Sequence, residues 1–146
     1  MNGEPAERTL LVWMLRRASR RFAGAVKEAL SSAGFSDLTQ RGMWAVQALH
    51  GHDCSATELV TAMQITKQAV SALVEELAAK SYVERSPDDV DRRRTVLRLT
   101  DRGAAAARLI EQTCLDVEHS IERDLGSKDI SRLRRILAVL GEQRPI

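Results

Sequence analysis

Three groups of residues in this 146-residue chain have the chemistry to bind something. Lys67, Gln68 and Ser71 place an ammonium, an amide and a hydroxyl within about one helical turn. An amide paired with adenine or a hydroxyl on a base edge reads sequence; the same groups on phosphates only hold position, and both roles stay open for Gln68 and Ser71. Lys67 suits a phosphate. Arg92, Arg93 and Arg94 are consecutive cations beside Asp91. Arg93 can enter a minor groove while Asp91 steadies it, or the triplet is a solvated charge run. His50-Gly51-His52-Asp53-Cys54 brings imidazole, carboxylate and thiolate together, the donor set that holds zinc. It is short and has no clear fourth ligand, and polar loop residues capping neighbouring helices are the alternative, so no metal is assigned.

The elements around these residues are legible. Ser55-Ala56-Thr57-Glu58 is a capping box that opens a short helix ending near Gln64. Thr66 caps a second helix, Lys67 to about Lys80, with Val70, Leu73, Val74 and Leu77 at i, i+3, i+4 and i+7 forming one buried stripe. Lys67, Gln68 and Ser71 lie off that stripe, near the helix N-terminus. A short helix, a turn and a helix with exposed polar donors at its start have the geometry of a major-groove reader. Ser55, Thr57, Thr66, Lys67, Gln68, Ser71, Asp91, Arg92, Arg93 and Arg94 are the candidate DNA contacts.

Tyr82-Val83-Glu84-Arg85 and Thr95-Val96-Leu97-Arg98-Leu99 read as strands, with Leu97 and Leu99 on one face and Val96 and Arg98 on the other. The segment between them, Ser86 to Arg94, is polar and rich in turn formers. Thr100 caps a new helix, with Asp101 in its positive first turn. Here the chain resembles the MarR family of winged helix-turn-helix transcription factors. The resemblance is carried by Ile65-Thr66-Lys67-Gln68-Ala69-Val70-Ser71, Tyr82-Val83-Glu84-Arg85, Pro87-Asp88, Asp91-Arg92-Arg93, Leu97-Arg98-Leu99-Thr100 and Gly103. The spaced string D-x-R-x-x-x-L-x-L-T-x-x-G is its most specific part. The chain departs at Asp89-Val90, where many relatives carry proline and a polar residue.

Composition narrows the classes. Hydrophobic residues are 44% and charged residues 29%, ordinary for a globular protein. Aromatics are only 3%, which argues against binding single strands or RNA by base stacking. The net charge of +2 means that DNA affinity must come from local basic residues rather than bulk charge. No apolar run approaches about 18 residues and no secretory segment opens the chain, so a cytoplasmic protein without a membrane span is expected. Cys54 and Cys114 form no metal or redox pair motif, which suits a reducing compartment. Cys114 and His119, five apart on a helix, do not share a face. No nucleophile elbow, phosphate loop or H-E-x-x-H is present, so an enzyme is not expected, and no cofactor is called for.

The rest of the chain reads as helices in search of partners. One runs from about Ala6 to Leu30 with Leu11, Leu15, Ala18, Phe22 and Val26 in helical spacing, and carries Arg16, Arg17, Arg20 and Arg21 as a solvated face or phosphate contacts. Gly34 breaks it, and Thr39 caps a helix containing Met43, Trp44, Val46 and Leu49. A long helix follows the wing from Asp101 to about Leu125. Ser127 is expected to cap a last helix carrying Ile130, Leu133, Ile136, Leu137 and Leu140.

The expected fold is mainly α: a single domain over 1–146 with about six helices and a two-stranded wing, in which the winged helix-turn-helix spans about 36–100. Helices at about 6–32 and 101–141 form a dimerisation region. Surplus apolar surface at both ends favours a two-fold interface through Leu11, Leu15, Ile130, Leu133, Ile136, Leu137 and Leu140, and the resemblance implies homodimers joined through their first and last helices. It also implies repression of a pseudo-palindromic operator, relieved by a small phenolic or apolar effector. Metal or redox response on the same fold, and a winged helix that binds protein, are the alternatives.

Overall fold

The computed structural model describes residues 10–142. Six helices and one hairpin follow in the order α1 (Leu11–Ser32), α2 (Gln40–Ala48), α3 (Ala56–Met63), α4 (Lys67–Ala79), β1 (Val83–Pro87), β2 (Thr95–Leu99), α5 (Asp101–Leu125) and α6 (Ser127–Glu142). The expected helix start near Ala6 lies outside the described residues.

Local chemistry sets most of these boundaries. Thr39, Ser55, Thr66 and Thr100 each accept a backbone N–H three residues on, closing the first turns of α2 to α5. At α3 the box is reciprocal: Ser55 takes the Glu58 N–H at 3.2 Å while the Glu58 carboxylate takes the Ser55 N–H at 2.6 Å. Gln64 ends α3 in the left-handed region, φ 53°. Ser127 departs from expectation. It is the first helical residue of α6 rather than its cap, and Gly126, at φ 88°, breaks the chain and offers its carbonyl to the Ile130 N–H.

The wing also differs in detail. β1 starts one residue late because the Tyr82 N–H is taken by the Leu77 carbonyl at 2.8 Å, a last turn made possible by Ser81 at φ 60°. It then runs on to Pro87, tolerated at the end of an edge strand. β1 and β2 pair antiparallel from Val83 opposite Leu99 to Pro87 opposite Thr95. Cys54 adds an isolated antiparallel bridge to β2, exchanging both backbone hydrogen bonds with Leu97. Val96 and Leu97 are both buried, so alternation does not leave one wet face; Leu97 joins the main core and Val96 is buried apart from it.

The core gathers Val26 and Leu30 from α1, Val46 from α2 and Leu49 just after it, Leu59 from α3 and the whole α4 stripe, with Ala106, Ala107 and Ile110 from α5. Trp44 of α2 is exposed. Gly103 marks the tightest contact, since a Cβ there would lie 2.0 Å from the Tyr82 carbonyl oxygen. α1 packs along α5 and α6 returns onto α5. Their outer faces stay bare: Leu11, Leu15, Leu133, Ile136, Leu137 and Leu140 are all exposed, and Ile130 is half-buried. Val12, Trp13, Met14 and Val139, not singled out from the sequence, extend the same apolar surface.

Candidate nucleic-acid interface

The start of α4 separates apolar from polar cleanly. Val70, Leu73, Val74 and Leu77 are buried, while Lys67, Gln68 and Ser71 are exposed. Ala72 and Glu75 continue that exposed face, and Glu75 was not among the expected contacts. Thr66 spends an acceptor lone pair on the Ala69 N–H at 3.2 Å, which leaves its hydroxyl proton available to donate. Thr57 is exposed on the first turn of α3. The half-buried Ser55 is more committed: its hydroxyl accepts from the Glu58 backbone and donates to the Glu58 carboxylate at 2.7 Å. That donation, followed by the backbone one, holds the Glu58 carboxyl below its ordinary value.

At the wing tip the acids are used as scaffolding. Asp88 accepts the N–H groups of Val90 at 2.8 Å and Asp91 at 3.3 Å, which lowers its pKa. Asp91 accepts the Arg93 N–H at 3.1 Å, so it steadies Arg93 through the backbone. Asp89 pairs with Arg98, and Arg98 also grips Asp53 of the α2–α3 loop through Nε at 2.9 Å and Nη2 at 2.6 Å. The Asp53 hydrogen bonds above all push the Arg98 pKa up. Arg92, Arg93 and Arg94 are exposed and form no ion pair among the described residues.

The structure pulls the His-Cys cluster apart. His50 faces Glu111 of α5 at 3.2 Å, Asp53 faces Arg98, and Cys54 is buried under the wing. Burial, with Glu58 and Asp53 nearby, raises the Cys54 pKa; burial likewise raises that of Cys114. Both therefore stay thiols at neutral pH, the less reactive form.

A second network was missed in the sequence. Tyr82 donates to Asp37 at 2.7 Å, and Arg102 reaches Asp37 at 2.9 Å and the Tyr82 hydroxyl at 3.1 Å. The guanidinium lies 4.7 Å from the Tyr82 ring centre and 5.4 Å from that of Phe35. This ties the α1–α2 loop, the end of α4 and the start of α5 into one joint. The Tyr82 hydroxyl is the main cause of the lowered Asp37 pKa, while burial first, then Asp37, raises that of Tyr82.

Between α1, α2 and α5 lies a cavity of about 300 Å³ lined by Phe22, Val26, Met43, Trp44, Ile110, Cys114 and Leu115, with Gln47, Glu111 and Glu118 as polar groups. Gln47 is among the lining residues, and its side-chain oxygen is buried without a hydrogen-bond partner among the described residues. Arg20, expected on a solvated face, lines a neighbouring cleft of about 650 Å³ with Lys27 and Phe35.

A capped reader helix beside a hairpin that displays three arginines defines the class: a winged helix-turn-helix protein. Residues 36–94 match a family model described as the MarR family. Over 130 residues the chain is 24% identical to the exopolysaccharide II synthesis transcriptional activator ExpG of Rhizobium meliloti, covering 89% of this chain and 66% of that one. It is 32% identical over 93 residues to the transcriptional repressor NicR of Pseudomonas putida, covering 63% of this chain and 57% of NicR. The chain thus spans less than two thirds of the length of either relative. The structure of the repressor CouR bound to a 23-mer DNA duplex superposes with a TM-score of 0.72 at 24% identity, covering 96% of both chains. Over residues 36–94 the chain thus resembles the MarR family, and it shares the winged helix-turn-helix fold of CouR. Among the described residues no helix is long and apolar enough to cross a membrane.

Proposed function

We propose that the protein is a homodimeric transcriptional repressor that binds a pseudo-palindromic operator. Two α4 helices enter successive major grooves about 34–36 Å apart, and the two wings reach the flanking minor grooves. The observation that carries this reading is the division of α4 described above, a buried apolar stripe backing an exposed polar N-terminus, next to a wing tip whose Asp88, Asp89 and Asp91 are engaged and whose Arg92, Arg93 and Arg94 form no ion pair among the described residues. Lys67, Thr57 and Thr66 suit phosphates; Gln68 and Ser71 face the groove; Arg93 enters the minor groove, with Arg92 and Arg94 on the backbone.

Dimerisation supplies the second half-site. α1 and α6 leave apolar side chains bare in the single chain, Leu11, Leu15, Leu133, Ile136, Leu137 and Leu140 with the half-buried Ile130, and burying them against a second copy removes them from water. A small phenolic or apolar effector fits the 300 Å³ cavity by its size and by its aromatic and aliphatic walls, with Gln47, Glu111 and Glu118 as polar residues of the lining. Its three walls belong to the terminal helices and the winged core. An effector that prefers a different spacing of the two readers therefore weakens DNA binding by that preference and no more. We take the protein for a repressor, as NicR is named, although ExpG is named an activator.

The test is a titration of the full chain against duplex DNA from upstream of its own gene, at two salt concentrations. Tight, salt-sensitive binding to a near-palindrome supports the reading. Binding that ignores sequence, or none at all, refutes it and favours a winged helix that binds protein.

A further inference from the structure

We propose that Val90 is itself a DNA contact: an apolar side chain at the wing tip that lies in the minor groove beside Arg93 and selects against a guanine amino group on the groove floor. The inference rests on the reading of the wing as a DNA-binding element and names a specificity determinant within it.

Val90 is 97% exposed, more than any other large apolar side chain among the described residues. A lone exposed hydrophobic residue is ordinary on a protein surface. The frame that presents this one is not. Its N–H is held by the Asp88 carboxylate, the hairpin is closed by the Asp88 N–H on the Arg94 carbonyl at 2.9 Å, and the Arg94 N–H bonds the Asp91 carbonyl at 2.8 Å. The tip is thus a fixed turn, and valine, branched at Cβ, has little rotamer freedom to lose when it is covered.

The electrostatics agree. Asp88, Asp89 and Asp91 surround Val90, and three carboxylates facing a phosphate backbone would oppose binding. Each is turned to internal use: Asp88 on two backbone N–H groups, Asp91 on a third, Asp89 on Arg98. What remains on the outer surface is a branched apolar side chain next to exposed arginines. A cation drawn by the groove's negative potential, with an apolar group against the sugar walls, matches the minor groove. There, G·C differs from A·T by the guanine N2 amino group. Valine methyls pressed on that amino group would strip its water and offer no acceptor in return. Val90 therefore favours A·T at the flank the wing covers.

The probe is the duplex that the full-length protein recovers from a randomised library, with single flank pairs changed to G·C or to inosine·C, since inosine lacks the N2 amino group. Wild type is expected to bind about fivefold more weakly at one flank G·C and to regain affinity with inosine·C. Val90→Ser is expected to bind the parent duplex about fivefold more weakly, lose the G·C penalty and keep the wild-type salt slope, because no phosphate contact is removed. Val90→Ile keeps the apolar contact and retains the penalty. An undiminished G·C penalty in Val90→Ser, or unchanged affinity for the parent duplex, overturns the proposal; if Arg93→Ala then removes the penalty, the discrimination belongs to Arg93. Failure of the wild type to recover any specific duplex is a separate result, and overturns the DNA-binding reading together with this inference.

Discussion

Replacing Gly103 by alanine tests the joint on which the reading head hangs. The new Cβ would sit 2.0 Å from the Tyr82 carbonyl oxygen, 3.0 Å from its carbon and 3.1 Å from Leu99 Cδ2. An opening of more than about 1 Å is needed to reach even a tight van der Waals contact. The obstacle is backbone, and Tyr82 has little room to yield. It is fully buried, its carbonyl accepts the Thr100 N–H at 3.1 Å, its N–H is held by Leu77 and its hydroxyl by Asp37. Overpacking of this kind costs roughly 1–3 kcal/mol, and a rigid neighbour places it at the upper end. Alanine recovers at most about 1 kcal/mol of helix propensity. The net expectation is a loss of about 2 kcal/mol, or roughly 4–8 °C in Tm for a chain of this size. The assay is urea and thermal unfolding at fixed protein concentration, since a dimer's apparent stability depends on it. Gly24→Ala is the control: it lies inside α1 with nothing within 4 Å of its added Cβ, and should gain about 0.5–1 kcal/mol. A Gly103→Ala protein as stable as the wild type would refute the reasoning.

Other perturbations separate the remaining roles. Arg93→Ala should weaken operator binding by roughly 1–3 kcal/mol and lower the salt slope with Tm nearly unchanged; unaltered affinity returns Arg93 to a solvated charge. Gln68→Ala and Ser71→Ala should each shift base preference by roughly 1–3 kcal/mol per contacted pair, whereas an equal loss on every site variant shows phosphate contacts instead. Leu133→Asp with Ile136→Asp places charges in the proposed seam at several kcal/mol of desolvation cost, so light scattering should find monomer or unfolded chain without operator binding; an intact dimer with normal affinity removes α6 from the interface. The carboxyls of Asp37 and Glu58 have lowered folded pKa values, so their stabilisation is present above the unfolded value, about pH 4, and is lost as pH falls through the folded one. Asp37→Asn with Glu58→Gln, the latter still able to cap, should flatten that acid loss of stability, and an identical pH profile for variant and wild type argues against the assignment.

What was legible in the amino-acid order is what is encoded within a turn or two of chain. The caps at Thr39, Ser55, Thr66 and Thr100 need only a hydroxyl and an N–H three residues on. The α4 stripe needs only spacings of three and four, and the hairpin needs apolar alternation on either side of turn formers. Those signals located six helices, the wing and the exposed start of α4, and the motif around Asp91, Arg93 and Gly103 carried the resemblance to the MarR family. The sequence failed where one element met another. Nothing near Arg102 points to Asp37, 65 residues away, or to the Tyr82 ring. Arg98 is drawn to Asp53 across 45 residues, and Cys54 joins the sheet only because α2, α3 and β2 converge. The late start of β1 follows from the same cause, since Tyr82 gives its N–H back to α4. The apparent metal cluster dissolved for that reason too, with His50 claimed by Glu111 and Asp53 by Arg98. Spacing along the chain sets what each segment can become, because backbone hydrogen bonds and side-chain faces repeat over a few residues. Which charges, rings and thiols then meet depends on how the segments pack, and that is settled by the fit of the whole core.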